Sequence, residues 1–187
     1  MIEFKDVTKV YEGTVALNQL NLTLQSGEIV GLIGHNGAGK STIMKLLYGM
    51  YPIDKGEIFI KGKRMLRLNP GIAIEHGIGM VHQEFMLVNE LSVLENIILG
   101  FEPKKGLKID FAKAEKEIRK YIELYHLELP LDKKVGQISV GEAQRVEIIK
   151  TLMRGAEIII LDEPTAVLTP QETRKLFEIM RNLKKEG

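Results

Sequence analysis

The chain contains no cysteine among its 187 residues, which excludes a disulfide scaffold, a thiolate zinc site and cysteine catalysis. It also lacks an excess of either charge, because 26 Lys and Arg residues stand against 25 Asp and Glu residues. Bulk charge therefore gives no argument for binding to nucleic acid or to a membrane surface. No apolar run approaches the roughly 18 residues that a membrane helix needs, and the charged start is not that of a signal peptide. We expect a soluble chain of the cytoplasmic type.

Both ends of the chain alternate strand and helix patterns. Hydrophobic residues make up 44% of the sequence, the proportion of a folded domain with a sizeable core. Strands are predicted from period-2 alternation at 20–24, from a run into a hairpin turn at 57–60, and from apolar runs at 29–33, 78–81 and 158–161. The apolar runs are typical of strands that are covered on both faces.

The middle of the chain, residues 85–153, has helical spacing instead. Asp110 is a predicted N-cap, and Ser139 opens a second helix. The last helix begins with a capping box at 169–172, and Gly187 occupies a C-cap position. An α/β protein is therefore predicted, with a parallel sheet and a helical insertion at 85–153.

One motif decides the chemical class, because the chain matches G-x-x-x-x-G-K-[ST] between a predicted strand and a predicted helix. Glycines let the backbone turn its N–H groups around a phosphate, and the following helix N-terminus adds a positive dipole. The lysine brings a mobile charge to the β- and γ-phosphates, and the serine hydroxyl can bind Mg²⁺. The matching residues are Gly34, His35, Asn36, Gly37, Ala38, Gly39, Lys40 and Ser41.

Two carboxylates, Asp162 and Glu163, directly follow the apolar run at 158–161. Ligands of open α/β sheets lie at the carboxyl ends of strands, so these two side chains lie at the edge of the sheet where a ligand would bind. Asp162 would orient Mg²⁺, and Glu163 would act as general base on the attacking water. Strands also end in solvated charges, and the loop motif is what favours the functional interpretation.

Together with Gln83, the stretches 34–42, 139–145 and 161–165 resemble the ATP-binding cassette (ABC) ATPases, in order and across nearly the whole chain. The signature stretch at 139–145 separates this family from other P-loop proteins. Narrower stretches at 34–39, 99–103, 139–142 and 165–172 look like the subgroup that serves simple-sugar and nucleoside importers. The resemblance implies a P-loop NTPase (RecA-like) core with a parallel sheet, an N-terminal antiparallel β part and an inserted helical subdomain.

The resemblance further implies a single nucleotide-binding domain over 1–187, with its core at 1–84 and 154–187 and the helical subdomain at 85–153. ATP would be the substrate and Mg²⁺ the cofactor, held by Ser41, Gln83 and Asp162. The catalytic residues would be Lys40, Gln83 and Glu163. The nucleotide-binding residues would be Tyr11, which stacks on adenine, Val15, Gly34, His35, Asn36, Gly37, Ala38, Gly39, Lys40, Ser41 and Thr42. The alternative for Tyr11 is an ordinary surface or core tyrosine, and the alternative for Gln83 is a solvent-facing loop residue; the resemblance favours the functional role of each.

The signature residues allow two interpretations. By resemblance, Ser139, Val140, Gly141 and Glu142 would contact the γ-phosphate of ATP bound to a second subunit. Ser-x-x-Glu is also a capping box, which accounts for Ser139 and Glu142 without any function. The usual signature has Gly and Gln where Val140 and Glu142 stand, and Thr169 replaces the usual Asp of the D-loop.

A histidine that the family places after a further strand is missing, because the four histidines lie at 35, 76, 82 and 126. We therefore expect a C-terminally truncated cassette, weak or inactive alone, from an importer at the cytoplasmic face of the membrane. Its expected partners are a second ATP-binding domain in a head-to-tail sandwich, permease subunits through 83–95 and, indirectly, an extracellular substrate-binding protein.

Two other functions stay open. One is a soluble non-transport ABC ATPase that acts on nucleic acid. The absence of a basic cluster beyond Lys61, Lys63, Arg64 and Arg67 argues against it, and no nucleic-acid partner is expected. The other is a nucleotide-binding fragment without turnover.

Overall fold

The computed structural model describes residues 1–186, which pack as two compact units, 1–79 and 80–186. The C-cap predicted at Gly187 lies outside the described residues. Within 1–186, no helix combines the length and the apolar character required to cross a bilayer.

The first unit is built on an antiparallel sheet of four strands. These are β1 (Ile2–Tyr11), β2 (Thr14–Leu24), β3 (Lys55–Ile60) and β4 (Lys63–Arg64), in the order β2-β1-β3-β4. Glu12 and Gly13 both have positive φ in the turn between β1 and β2, as a tight hairpin turn requires. Alternate side chains of β1 are buried, which gives the sheet one apolar face. The helices α1 (Lys40–Leu47) and α2 (Pro70–Glu75) complete the unit.

The prediction of a strand covered on both faces at 29–33 is wrong. The structure assigns no strand there, and the Ile33 side chain is 97% exposed. A strand needs a neighbour for its backbone hydrogen bonds, and among the described residues this run pairs with none. Apolar composition alone is therefore not sufficient to form the predicted strand.

The second unit combines a short sheet with four helices. Strand β5 (Ile78–Val81), of which only the last two residues belong to this unit, pairs with β8 (Ile158–Leu161), and a small hairpin joins β6 (Lys104–Lys105) to β7 (Lys108–Ile109). The helices are α3 (Val93–Ile98), α4 (Phe111–Tyr125), α5 (Val140–Met153) and α6 (Pro170–Glu186). All four contribute apolar side chains to one core.

The predicted helix starts are confirmed by their hydrogen bonds. The Asp110 carboxylate accepts from the Lys113 N–H at 3.0 Å and caps α4. Ser139 and Glu142 form both bonds of a capping box at α5. At α6, the Glu172 N–H donates to the Thr169 hydroxyl at 3.3 Å. These caps act over three residues, so the local sequence is enough to predict them.

Candidate functional site

The glycine-rich loop lies in the first unit and leads directly into α1. Gly37 and Gly39 have φ of +84° and +87°, a backbone conformation that is strained for any residue with a Cβ atom. The Lys40 ammonium donates to the carbonyl oxygens of Gly34, at 2.6 Å, and His35, at 2.8 Å. The lysine therefore closes the loop on itself, with its charge held beside the N-terminus of α1.

Gly39 also has a steric reason to be glycine. A Cβ at this position would lie 2.8 Å from the Ala16 carbonyl oxygen and 2.8 Å from Cδ2 of Leu17, both on β2. A Cβ at Gly37 would meet no atom within 4 Å. Strand β2 therefore packs directly against the loop at Gly39, whereas there is room for a side chain at Gly37.

Tyr11 ends β1 and is held by several side chains. Its ring meets that of Tyr51 edge to face at 5.5 Å, and the Lys9 ammonium lies 5.1 Å from the ring centroid. Burial raises the pKa of the Tyr11 hydroxyl, although a hydrogen bond with the Thr42 side chain opposes this shift. The structure thus brings the residue expected to stack on adenine to the start of α1.

Lys9 is itself a buried cation with a defined partner. Its ammonium lies 3.3 Å from an Asp54 carboxylate oxygen. The other oxygen of Asp54 accepts from the Val10 N–H at 2.7 Å. The hydrogen bond from this backbone N–H is the main reason that the pKa of Asp54 is lowered, and the Lys9 ammonium lowers it further. Val15, which is also expected to bind the nucleotide, pairs with Val10 across the hairpin and is exposed.

In the second unit, Gln83 and Glu163 follow β5 and β8. The Gln83 amide donates to the Glu163 carboxylate at 3.2 Å. Glu163 has a φ of +47°, a strained conformation of the kind found at functional sites. Asp162 is buried, and its N–H donates to the Val81 carbonyl at 3.2 Å. Two residues that are 80 positions apart are thus placed in direct contact by the pairing of their strands.

The start of α5 shows how Glu142 is oriented. Its carboxylate accepts from the Ser139 N–H at 2.7 Å and so turns back along its own helix. Val140 follows Ser139 as the first residue of α5 and is exposed.

The carboxylate of Glu172 also lies at the start of α5, a contact that the sequence analysis did not predict. One Glu172 oxygen accepts from the Gly141 N–H at 3.1 Å, and the other accepts from the Thr169 N–H at 3.0 Å. The N–H and hydroxyl of Thr169 are the leading causes that lower the pKa of Glu172. The capping box at 169–172 was a signal for Glu172, but its contact with Gly141 was not predictable from local spacing.

The donors predicted for Mg²⁺ are Ser41 in the first unit and Gln83 and Asp162 in the second. Hydroxyl, amide and carboxylate oxygens are hard donors of the kind that Mg²⁺ takes together with phosphates, so their chemistry fits the ion. Among residues 1–186, no group of three or more His, Asp or Glu side chains could hold a metal ion.

The profile of the ABC transporter family matches residues 17–166. Over 187 residues, the chain is 50% identical to the guanosine import ATP-binding protein NupO of Bacillus subtilis strain 168. It is 51% identical to the nucleoside import ATP-binding protein NupA of Lactococcus lactis subsp. cremoris MG1363. In each case 100% of this chain is covered, and the chain spans 37% of the relative's length.

Solved structures agree with this assignment. The ADP conformation of MJ1267, an ATP-binding cassette of an ABC transporter, superimposes with a TM-score of 0.84 at 28% identity. The match covers 100% of this chain and 78% of that one. A dimeric post-hydrolysis state of the cassette MJ0796, bound to ADP and Pi, gives a TM-score of 0.80 at 29% identity, over 100% and 84% of the two chains. The predicted P-loop NTPase fold class is thereby confirmed.

Proposed function

This chain belongs to the ABC transporter family, and we propose that it is the ATP-binding and ATP-hydrolysing part of an importer for nucleosides or simple sugars. The observation that carries the proposal is the geometry of the loop at 34–41. Two of its glycines have positive φ, and the Lys40 ammonium donates to the backbone carbonyls of residues 34 and 35 at the start of α1. The substrate class rests on relatives whose names state guanosine, nucleoside and ribose import. The alternative of an ATPase acting on nucleic acid has no comparable support.

ATP binding is assigned to the first unit. The backbone N–H groups of the loop and the Lys40 ammonium would hold the phosphates, with Lys40 exchanging its two carbonyl partners for phosphate oxygens. Tyr11 would stack on the adenine ring. Ser41, Gln83 and Asp162 would hold Mg²⁺, which neutralises charge on the β- and γ-phosphates when it is bound.

Hydrolysis is assigned to the Gln83–Glu163 pair. The Glu163 carboxylate would accept a proton from a water molecule whose oxygen forms a bond to the γ-phosphorus. The bond between that phosphorus and the bridging oxygen breaks, and its electrons leave with ADP. The Gln83 amide, 3.2 Å from Glu163, would hold the carboxylate oriented for this step.

The partners follow the same assignment. We propose a head-to-tail dimer in which Ser139, exposed at the start of α5, faces the γ-phosphate on a second cassette. Permease subunits would contact 83–95, where the Met86 side chain is 66% exposed, at the cytoplasmic face of the membrane. An extracellular substrate-binding protein would take part only indirectly.

Glu163→Gln tests the proposal in the longest natural chain that contains these residues. The amide keeps the shape but removes the base, so ATP should still bind while turnover falls by about 10²–10⁴-fold. Phosphate release would measure turnover, a fluorescent ATP analogue would measure binding, and size-exclusion chromatography with Mg-ATP would show an accumulated dimer. Glu123→Gln, at an exposed position of α4, is the matched control. Undiminished turnover in Glu163→Gln would exclude Glu163 as the base, and a wild-type protein that binds no ATP would refute the function.

A further inference from the structure

Helix α5 withdraws several polar side chains from solvent, although helices of this kind usually direct such groups to water. Gln144, Glu147 and Lys150 follow one another at intervals of three residues, which places them on successive turns. Only 7% of the Glu147 side chain and 12% of the Lys150 side chain are exposed. Buried charges are tolerated where they are paired and hydrogen-bonded, so the partners of these groups show what they hold.

Glu147 and Lys150 hold the backbone of one residue, Met86. The Glu147 carboxylate accepts from the Met86 N–H at 2.8 Å, and the Lys150 ammonium donates to the Met86 carbonyl at 2.9 Å. The two side chains also face each other at 3.4 Å. An ion pair on α5 therefore satisfies both main-chain groups of a loop residue, as a neighbouring strand would. We name these three residues the Met86 clamp.

A second helix holds the same segment two residues later. Asn96 of α3 is buried and accepts from the Val88 N–H at 2.7 Å while donating to the Val88 carbonyl at 3.0 Å. Leu87, between the two anchored residues, packs against the core. The segment 86–88 is thus fastened to α3 and α5 through its main chain.

Gln144 holds the segment that follows the other strand, β8. The Gln144 amide donates to the Pro164 carbonyl at 2.7 Å, directly after Glu163. Helix α5 therefore holds the chain just after Glu163 and, through the Met86 clamp, three residues after Gln83. Between these two anchors lies the 3.2 Å contact of Gln83 with Glu163.

We propose that Glu147 and Lys150 are positioning residues, which keep Gln83 in contact with Glu163 by holding the Met86 backbone on α5. This assignment rests on the proposed function, in which that contact serves ATP hydrolysis. The side chains of the Met86 clamp touch neither nucleotide nor water in the reaction. Their effect should therefore be on turnover and not on the affinity for ATP measured without Mg²⁺, because the loop at 34–41 would bind the phosphates and Gln83 would contribute to binding only through Mg²⁺.

Lys150→Met tests the proposal, since it keeps the unbranched stem of the side chain up to the ε position and removes the ammonium donor. Helix α4 offers a matched control pair, Glu117 and Lys120, which has the same residue types and spacing but side chains that are 41% and 58% exposed. We expect kcat to fall by about 10–100-fold in Lys150→Met, with the Kd for a fluorescent ATP analogue, measured without Mg²⁺, unchanged within about twofold. Lys120→Met should leave both quantities unchanged.

Hydrogen–deuterium exchange at the Met86 amide reports on the Met86 clamp directly, independently of hydrolysis. Exchange should accelerate at least about tenfold in Lys150→Met and in Glu147→Ala, and Lys150→Arg should restore most of the protection and of kcat. Glu147→Gln, which retains an acceptor for the Met86 N–H, serves as the second variant if the others fail to fold.

Three results would overturn the proposal. They are unchanged exchange at Met86, unchanged kcat in a variant whose Met86 amide has become exposed, and a loss of kcat that only follows a loss of Tm and of ATP affinity. A wild-type chain without ATP binding would refute the proposed function instead, and the exchange measurement would still decide whether the Met86 clamp exists.

Discussion

Two glycines of the phosphate loop allow backbone strain to be separated from steric contact. Gly37 and Gly39 have nearly the same φ, +84° and +87°, but only Gly39 lies against other atoms. Alanine in this left-handed region costs about 1–2 kcal/mol, which both substitutions should share. Gly37→Ala should therefore lower the free energy of unfolding by about 1–2 kcal/mol.

Gly39→Ala should be more destabilising because its Cβ would lie 2.8 Å from the Ala16 carbonyl oxygen and 2.8 Å from Leu17. Leu17 can change rotamer, but the carbonyl belongs to the backbone of β2, so the loop itself must move. Overpacking of this kind adds about 1–3 kcal/mol, which gives a total of about 2–5 kcal/mol for Gly39→Ala. Affinity for an ATP analogue should fall in the same order.

Urea unfolding followed by far-ultraviolet circular dichroism measures both variants against the wild type. The informative quantity is the difference between the two alanine variants, because the strain that they share cancels. Equal losses of stability would show that β2 does not support the loop at Gly39, and the steric argument would be wrong.

Two further predictions concern charged groups. Lys40→Ala should weaken Mg-ATP binding by about 2–4 kcal/mol in a fluorescence titration, whereas Lys45→Ala, on the same helix, should not; equal affinities would remove Lys40 from the site. Thr169 holds the pKa of Glu172 below its ordinary 4.5, so the carboxylate stabilises the fold above that pH and loses its effect as the pH falls through the lowered pKa. Thermal unfolding should thus favour the wild type over Glu172→Gln near neutral pH, with the difference shrinking as the pH falls below 4.5 and through the lowered pKa; parallel profiles would contradict this.

Features that depend on a few neighbouring residues were predictable from the sequence. The Asp110 cap of α4 and the capping boxes at Ser139 and Thr169 are all present, because each consists of hydrogen bonds over three residues. The position of the glycine-rich loop before α1 was predictable for the same reason. Such signals do not require knowledge of the rest of the fold.

Features that depend on a distant partner were predictable only in part. The run 29–33 has the composition of a buried strand, yet Ile33 is exposed because strand formation needs a neighbour that local sequence does not specify. Gln83 and Glu163 were each identified by motif, but their 3.2 Å contact results from the pairing of β5 with β8.

The linear order of residues was sufficient to identify the family, the phosphate loop and the helix starts, since these are properties of short segments. Tertiary structure alone decided that Glu172 would bond the Gly141 N–H and that Glu147 and Lys150 would be buried against Met86. In the sequence these are ordinary charged residues of a helix, and the usual expectation for them is a solvated surface. Their partners lie 31 to 64 positions away, so the chain had to fold before their chemistry was defined.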